Sequence, residues 1–177
     1  MRTSPSRRAL SAGFIRRAAA LGLLIAAFAA GPSPALGQPG SFRVSAWTFG
    51  DETSLQAACR RAAVTEVNVD WYLSRPSGRV AGRGRPAFTT AARQCGLTVL
   101  ATVANIDPAT DDFSAALVAP ILASGSARRH HIRKLTRLCT DHGYDGIDLD
   151  WESLRVSQRR RFSRFVEALA AALHQHG

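Results

Sequence analysis

The chain of 177 residues has little of what several common functions require. Its three cysteines, Cys59, Cys95 and Cys139, lie far apart, and no CxxC or Cys/His pair has ligand spacing, so a zinc site is not expected. No glycine-rich phosphate loop follows any predicted strand, which leaves a nucleotide-binding doubly wound sheet without support. Aromatic residues make up 7% of the chain. The arginine clusters carry no interleaved series of base-stacking aromatics, so nucleic acid is not an expected partner. Acids are missing altogether before Gln38, and the apolar run in that region falls short of the ~20 residues that span a bilayer.

What stands in that acid-free region has the three parts of a secretory signal. Arg2, Arg7, Arg8, Arg16 and Arg17 form a positive start, residues 18–30 an apolar middle, and Ala35-Leu36-Gly37 a small-residue cleavage site before Gln38. Residues 1–37 are therefore expected to be a signal peptide, 38–41 a linker and 42–177 one catalytic-type domain. Export to the cell envelope, the periplasm or the medium follows, without stable membrane insertion after cleavage. An uncleaved leader acting as an anchor is the alternative. Five of the 23 basic residues and none of the 13 acids precede Gln38, so the formal net charge of +10 falls to +5 for the remainder. Basic residues gather at 128–137 and 155–164. They read either as solvated helix faces or as a surface attracted to an anionic polymer such as a cell wall. One cysteine pair could form a disulfide in an exported protein, and the spacing does not say which.

From residue 42 onward, strand and helix patterns alternate. Residues 42–49 alternate as a strand, and Asp51 or Thr53 caps a helix to about Ala63. Strands follow at 64–72 and, fully apolar, at 97–103. Residues 74–86 have loop composition, and a helix over 87–95 ends at Gly96. After a break at 105–108, helices are predicted over 112–122 and from Ser126 to His142, the second stopped by Gly143. A fourth strand covers 145–151, and Ser157 opens a last helix with Phe162, Phe165, Val166, Leu169 and Leu173 in one apolar stripe. The order β-α-β-α-β-α-β-α implies parallel pairing through crossovers. The fold class expected is α/β of the (β/α)8 TIM-barrel type with only the first four βα units present, a half barrel. His130 and His131 fall in a basic helix and are expected to face solvent.

The fourth strand carries the chemistry. In Asp145-Gly146-Ile147-Asp148-Leu149-Asp150-Trp151-Glu152, side chains two apart share a strand face. Asp148, Asp150 and Glu152 then project together, while Ile147, Leu149 and Trp151 pack behind. Three carboxylates in one file repel, and a strand gains nothing structural from them. Coupled acids can instead hold a proton at the outermost position near neutral pH. A solvated strand end and a site for Mg²⁺ or Ca²⁺ between Asp150 and Glu152 are the competing readings. No metal or cofactor is expected.

This stretch resembles the DxxDxDxE signature of family 18 glycoside hydrolases, the chitinase-like (β/α)8 barrels. Trp71-Tyr72 closing strand two, Thr98 to Asn105 on strand three, and Tyr144 before the motif are similar to the spore-germination or cortex-lytic branch. The Ser-x-Gly-Gly turn of many chitinases is replaced by Ala104-Asn105-Ile106-Asp107. The likeness covers the first half of a family barrel. It implies a retaining, substrate-assisted hydrolysis of β-linked N-acetylglucosamine polymers, peptidoglycan or chitin, in which the substrate's acetamido oxygen is the nucleophile. Glu152 is then the general acid, Asp150 orients the acetamido group, and Asp148 shares a proton with Asp150. Asp145 supports the turn or the network and stands with Trp71, Tyr72 and Asn105 as a candidate substrate-binding residue. Trp71 and Tyr72 either stack on sugar or pack in the barrel. A noncatalytic sugar-binding module, or an inactive truncated product that self-associates or awaits a missing C-terminal half, are the alternatives.

Overall fold

The computed structural model describes residues 42–176; the leader and linker read from the sequence lie outside them. Four parallel strands form the frame: β1 (Ser45–Thr48), β2 (Glu66–Ser74), β4 (Thr98–Ala104) and β7 (Gly146–Asp150). They pair in chain order, β1 to β2 to β4 to β7. Strands added in one direction leave no reversal of order, the point at which a doubly wound sheet would bind its ligand. Each strand is followed by helix: α1 (Glu52–Cys59), α2 (Pro86–Gln94), α3 (Ala115–Ala123) with α4 (Gly125–His142), and α5 (Arg159–His174).

One face of the sheet is packed under these helices. Val67, Val69, Val99, Ala101 and Val103 are fully buried, and they meet Ala92, Ile121, Leu122, Leu135 and Phe165 from the helices in one core. On β4 the alternate residues Thr98 and Leu100 are only half-buried. The helix-facing positions of β4 are thus apolar and sealed, and the opposite face is more open at the start of the strand and closes at Thr102 and Ala104.

Local chemistry sets the element ends. The Asp51 carboxylate accepts from Ser54 N at 2.8 Å and caps α1. Pro86 opens α2 at a position whose N–H has no helical partner. Gly143 closes α4 in the left-handed region, φ 70°. The cap of α4 is Ser124, accepting from Ala127 N at 3.3 Å, two residues before the expected Ser126. A 3-10 turn (Val156–Gln158) precedes α5, so Ser157 does not open that helix. Val166 leaves the predicted stripe and is 39% exposed, while Phe165 and Leu169 are buried.

Two short hairpins appear that the sequence did not predict, one in a predicted loop and one taking the first residues of the helix predicted over 112–122, which starts instead at Ala115. In the 74–86 segment, β3 (Val80–Gly82) pairs antiparallel with the end of β2, beyond the point where β1 stops. After β4, β5 (Ile106–Asp107) pairs with β6 (Asp112–Phe113). Cys59 at the end of α1 and Cys95 at the end of α2 form the disulfide, which ties the first two helices together; Cys139 is free. Burial pushes the Cys139 thiol up to about 11.

The histidine expectation is half wrong. His131 is completely buried. Its ring lies against Phe165 and Trp151, with centroids 5.9 and 5.7 Å apart. Both ring nitrogens are bonded, Nδ1 to the Gly78 carbonyl at 3.0 Å and Nε2 to Ser74 Oγ at 3.2 Å. A charged residue type on a basic helix hid an inward position, because the side chain finds two polar partners inside.

Candidate functional site

The site gathers at the C-terminal ends of the parallel strands. Asp148 is its structural centre. Its Oδ2 accepts from Trp47 Nε1 on β1 at 2.9 Å, from Asn68 Nδ2 on β2 at 3.1 Å and from Thr102 Oγ1 on β4 at 2.9 Å. All four strands therefore converge on one oxygen. Ser45 Oγ donates to Asn68 Oδ1 at 2.9 Å, which turns the amide so that its NH2 faces Asp148. Trp47 and Asp148 lie on the two outermost strands of the four. A flat sheet at about 4.8 Å per strand would hold these about 14 Å apart, so the long indole is joined by a sheet curved toward this face.

Asp150 and Glu152 line a cavity of about 210 Å³ together with Trp47, Thr48, Phe49 and Thr102. The two acids and Asp148 share the open side of β7, as their two-residue spacing predicts. Trp151 goes the other way. Its indole stacks on Phe165 with centroids 4.8 Å apart, and its N–H donates to Ser74 Oγ at 3.0 Å. Gly78 can only accept from the His131 ring, so Nδ1 carries the hydrogen. Nε2 then accepts from the Ser74 hydroxyl, whose oxygen takes the Trp151 N–H. Burial lowers the His131 pKa to about 4, against the opposing bond to Gly78. This relay fixes the residue between Asp150 and Glu152 from behind.

Glu152 is exposed and stands just past the end of β7. The buried Asn105 side chain holds its backbone twice. Asn105 Nδ2 donates to the Glu152 carbonyl at 2.9 Å, and Glu152 N donates to Asn105 Oδ1 at 2.9 Å. The amide copies one further rung of the β4–β7 ladder where the strands part. Ser153, the next residue, has φ 59°, a strained value for a side-chain-bearing residue beside the site.

Of the other predicted residues, Asp145, Tyr72 and Asn105 do not join the cavity. Asp145 sits at the opposite, N-terminal end of β7. There its carboxylate accepts from Val99 N at 2.9 Å and pairs with Arg93 at 2.7 Å. It supports the strand start and is not placed to bind substrate at the acids. Tyr72 is buried, its hydroxyl 3.0 Å from that of Tyr144, so it packs and does not stack on sugar. Burial raises both tyrosine pKa values. Asn105 is enclosed and engaged by Glu152, which makes it a positioning residue and not a substrate contact. Trp71 falls where the register of β2 on β4 shifts between Asp70 and Tyr72, and its side chain lies outside the described part of the structure. Trp47, Asn68 and Thr102 were missed. The readable signal was a single polar residue between apolar neighbours, as in Val67-Asn68-Val69 and Ala101-Thr102-Val103. Among the described residues, no group of three or more His, Cys, Asp and Glu is arranged to hold a metal ion.

Comparison with known proteins gives the family and the fold. The pattern of the glycosyl hydrolases family 18 matches residues 42–177. An uncharacterized glycosylase of Bacillus subtilis strain 168, YvbX, is 22% identical over 130 residues, covering 73% of this chain and 38% of the relative. The crystal structure of a chitinase from Chromobacterium violaceum superposes with a TM-score of 0.67 at 27% identity, over 76% of this chain and 43% of the chitinase. The Bacillus cereus spore cortex-lytic enzyme SleL shares the fold, with a TM-score of 0.62 at 21% identity, over 72% of this chain and 31% of SleL. The chain thus spans about two fifths of the length of the glycosylase and the chitinase it matches. The sheet described above is α/β of the TIM-barrel type.

Proposed function

The chain belongs to family 18 of the glycosyl hydrolases, and from that membership we propose that it is a glycoside hydrolase cleaving β-linked N-acetylglucosamine polymers. The observation that carries the proposal is the pair Asp150 and Glu152 on one cavity wall, with Asp148 fixed behind them by three donors. Glu152, the outermost and most accessible, protonates the glycosidic oxygen as the bond breaks. The substrate's own acetamido oxygen attacks the anomeric carbon, and water later opens the resulting ring with retention; the handful of families that dispense with a protein nucleophile include this one. Asp150 orients the acetamido group and stabilises the charge it gains. Asp148 shares a proton with Asp150, and its anchoring supports that role because it cannot swing away.

The anomeric form of the first products, followed by NMR, tests the mechanism. N-acetylglucosamine oligomers should give the β anomer first, and their deacetylated counterparts should not be cleaved. Glu152→Gln should lower turnover by about 10²–10⁴-fold, the usual contribution of a positioned general acid. Cleavage of deacetylated oligomers at the same rate would overturn the substrate-assisted step.

Export through the leader at residues 1–37 is part of the same reading. The Cys59–Cys95 bridge supports it, since such bonds persist in oxidising compartments. The half-barrel expectation enters here as well. Further βα units are proposed to close the sheet between β7 and β1, supplied in the same protein or by association.

A further inference from the structure

We propose that the arginine-rich rim around the first turns of α4 and α5 is a binding surface for a carboxylate-bearing glycan, which sets the substrate class of the site beside it. The inference rests on the proposed glycan chemistry at Glu152 and adds to it a charge requirement. Arg155, Arg159, Arg160, Arg161 and Arg164 are all exposed. None of them forms an ion pair; the salt bridges of the described residues are Arg43–Glu66 and Arg93–Asp145. Glu167, the one acid on α5, borders a shallow groove with Arg159, Arg160, Ser163 and Arg164.

Arg159, Arg160 and Arg161 occupy the first three positions of α5. A helix N-terminus already carries partial positive charge, and cations placed there raise the free energy of the helix. Like charges three or four apart add to that cost. A second set repeats the pattern. The guanidinium groups of Arg128 and Arg129 fold back over Gly125 at the start of α4, 3.9 and 3.4 Å from the point where a side chain would begin. Neither set forms an ion pair within the described residues, and the single acid beside the α5 set, Glu167, faces three arginines, so an external anion is the natural partner.

Both sets lie at the end of the molecule that holds the acids. α5 starts only a few residues after Glu152, and α4 runs back from that end to feed β7 at the other. The stacking of His131 on Phe165 holds the early turns of the two helices side by side. A polymer crossing the cavity mouth would therefore pass the rim. A neutral N-acetylglucosamine chain gains nothing from it, whereas a glycan with carboxylates on its substituents does. Nucleic acid is disfavoured, because Phe162 and Phe165, the aromatics among these arginines, pack against the core.

The test reads binding with hydrolysis switched off. The chain carrying Glu152→Gln is co-sedimented with native peptidoglycan sacculi, with sacculi whose carboxyl groups have been amidated, and with chitin. Native sacculi should bind at least tenfold more tightly at low salt, and the preference should shrink as salt rises. Arg159→Gln, Arg160→Gln and Arg164→Gln together should reduce binding to the level of amidated sacculi. Hydrolysis of short neutral oligomers by the same triple variant with Glu152 restored should be unchanged. Equal binding to native and amidated sacculi, an unaffected triple variant, or tighter binding to duplex RNA than to native sacculi would each overturn the rim. Since the three binding outcomes require no cleavage, they fail independently of the role of Glu152.

Discussion

Three carboxylates at two-residue spacing perform different tasks because their surroundings differ. Asp148 is bound by three donors, two of which, Asn68 and Thr102, are themselves buried. Removing the acceptor strands those donors, and each buried unsatisfied group costs about 1–3 kcal/mol. Asp148→Ala should therefore destabilise the fold by about 2–4 kcal/mol in urea unfolding. Glu152→Gln, at an exposed position, should shift stability by less than about 0.5 kcal/mol. Equal destabilisation by both would show that the acids are not divided into an anchor and a reactive group. Asn105 belongs between these cases. Asn105→Ala removes two bonds to the Glu152 backbone, about 1 kcal/mol each, and should lower kcat with little change in KM. Asn105→Asp should be worse than Ala, because a carboxylate oxygen then faces the Glu152 carbonyl. The acid row was legible because period two is the only way a strand can present acids on one side. The partners of Asp148 were not, since they come from three strands whose register no single segment encodes.

At the level of elements, helix α4 contributes a buried base. His131 is neutral in the fold, with its pKa lowered to about 4 from an ordinary value of 6.5. The unfolded chain therefore takes up a proton first as pH falls. Stability from this group is complete above about pH 6.5 and is lost as pH drops toward about 4, by a total of about 3 kcal/mol. Urea midpoints across that range should fall in the native chain and fall less in His131→Gln. The disulfide acts on the first two helices. It closes a loop with a sequence separation of 36, worth about 3–4 kcal/mol by the loop-entropy relation, and reduction should lower the midpoint accordingly. The helices and the four long strands were readable from apolar periodicity and from caps such as Asp51 and Gly143. The hairpins β3 and β5–β6 were not, because strands of two or three residues carry too little pattern to stand out from loop composition. His131 was misplaced for a related reason: its partners, Ser74 and Gly78, are more than 50 residues away.

For the molecule as a whole, the decisive feature is the sheet's outer boundary. Among the described residues, β1 pairs only with β2, and β7 only with β4, so each presents one ladder of backbone groups outward. The large apolar residues at this boundary are also uncovered: Trp47 is 72% and Phe49 87% exposed beside the cavity. Unpaired strand edges template association with other strands, and a curved parallel sheet is satisfied only when its ends meet around a barrel. Residues 42–177 by themselves should therefore self-associate as concentration rises, seen as a growing scattering mass. They should cleave N-acetylglucosamine oligomers weakly. Joining them to βα units that pair with both β7 and β1 should return the protein to a monomer, protect the β1 and β7 amides from hydrogen exchange and raise turnover together. A concentration-independent monomer of residues 42–177 with full turnover would mean that the four strands suffice, and that the cavity at Asp150 and Glu152 needs no opposite wall.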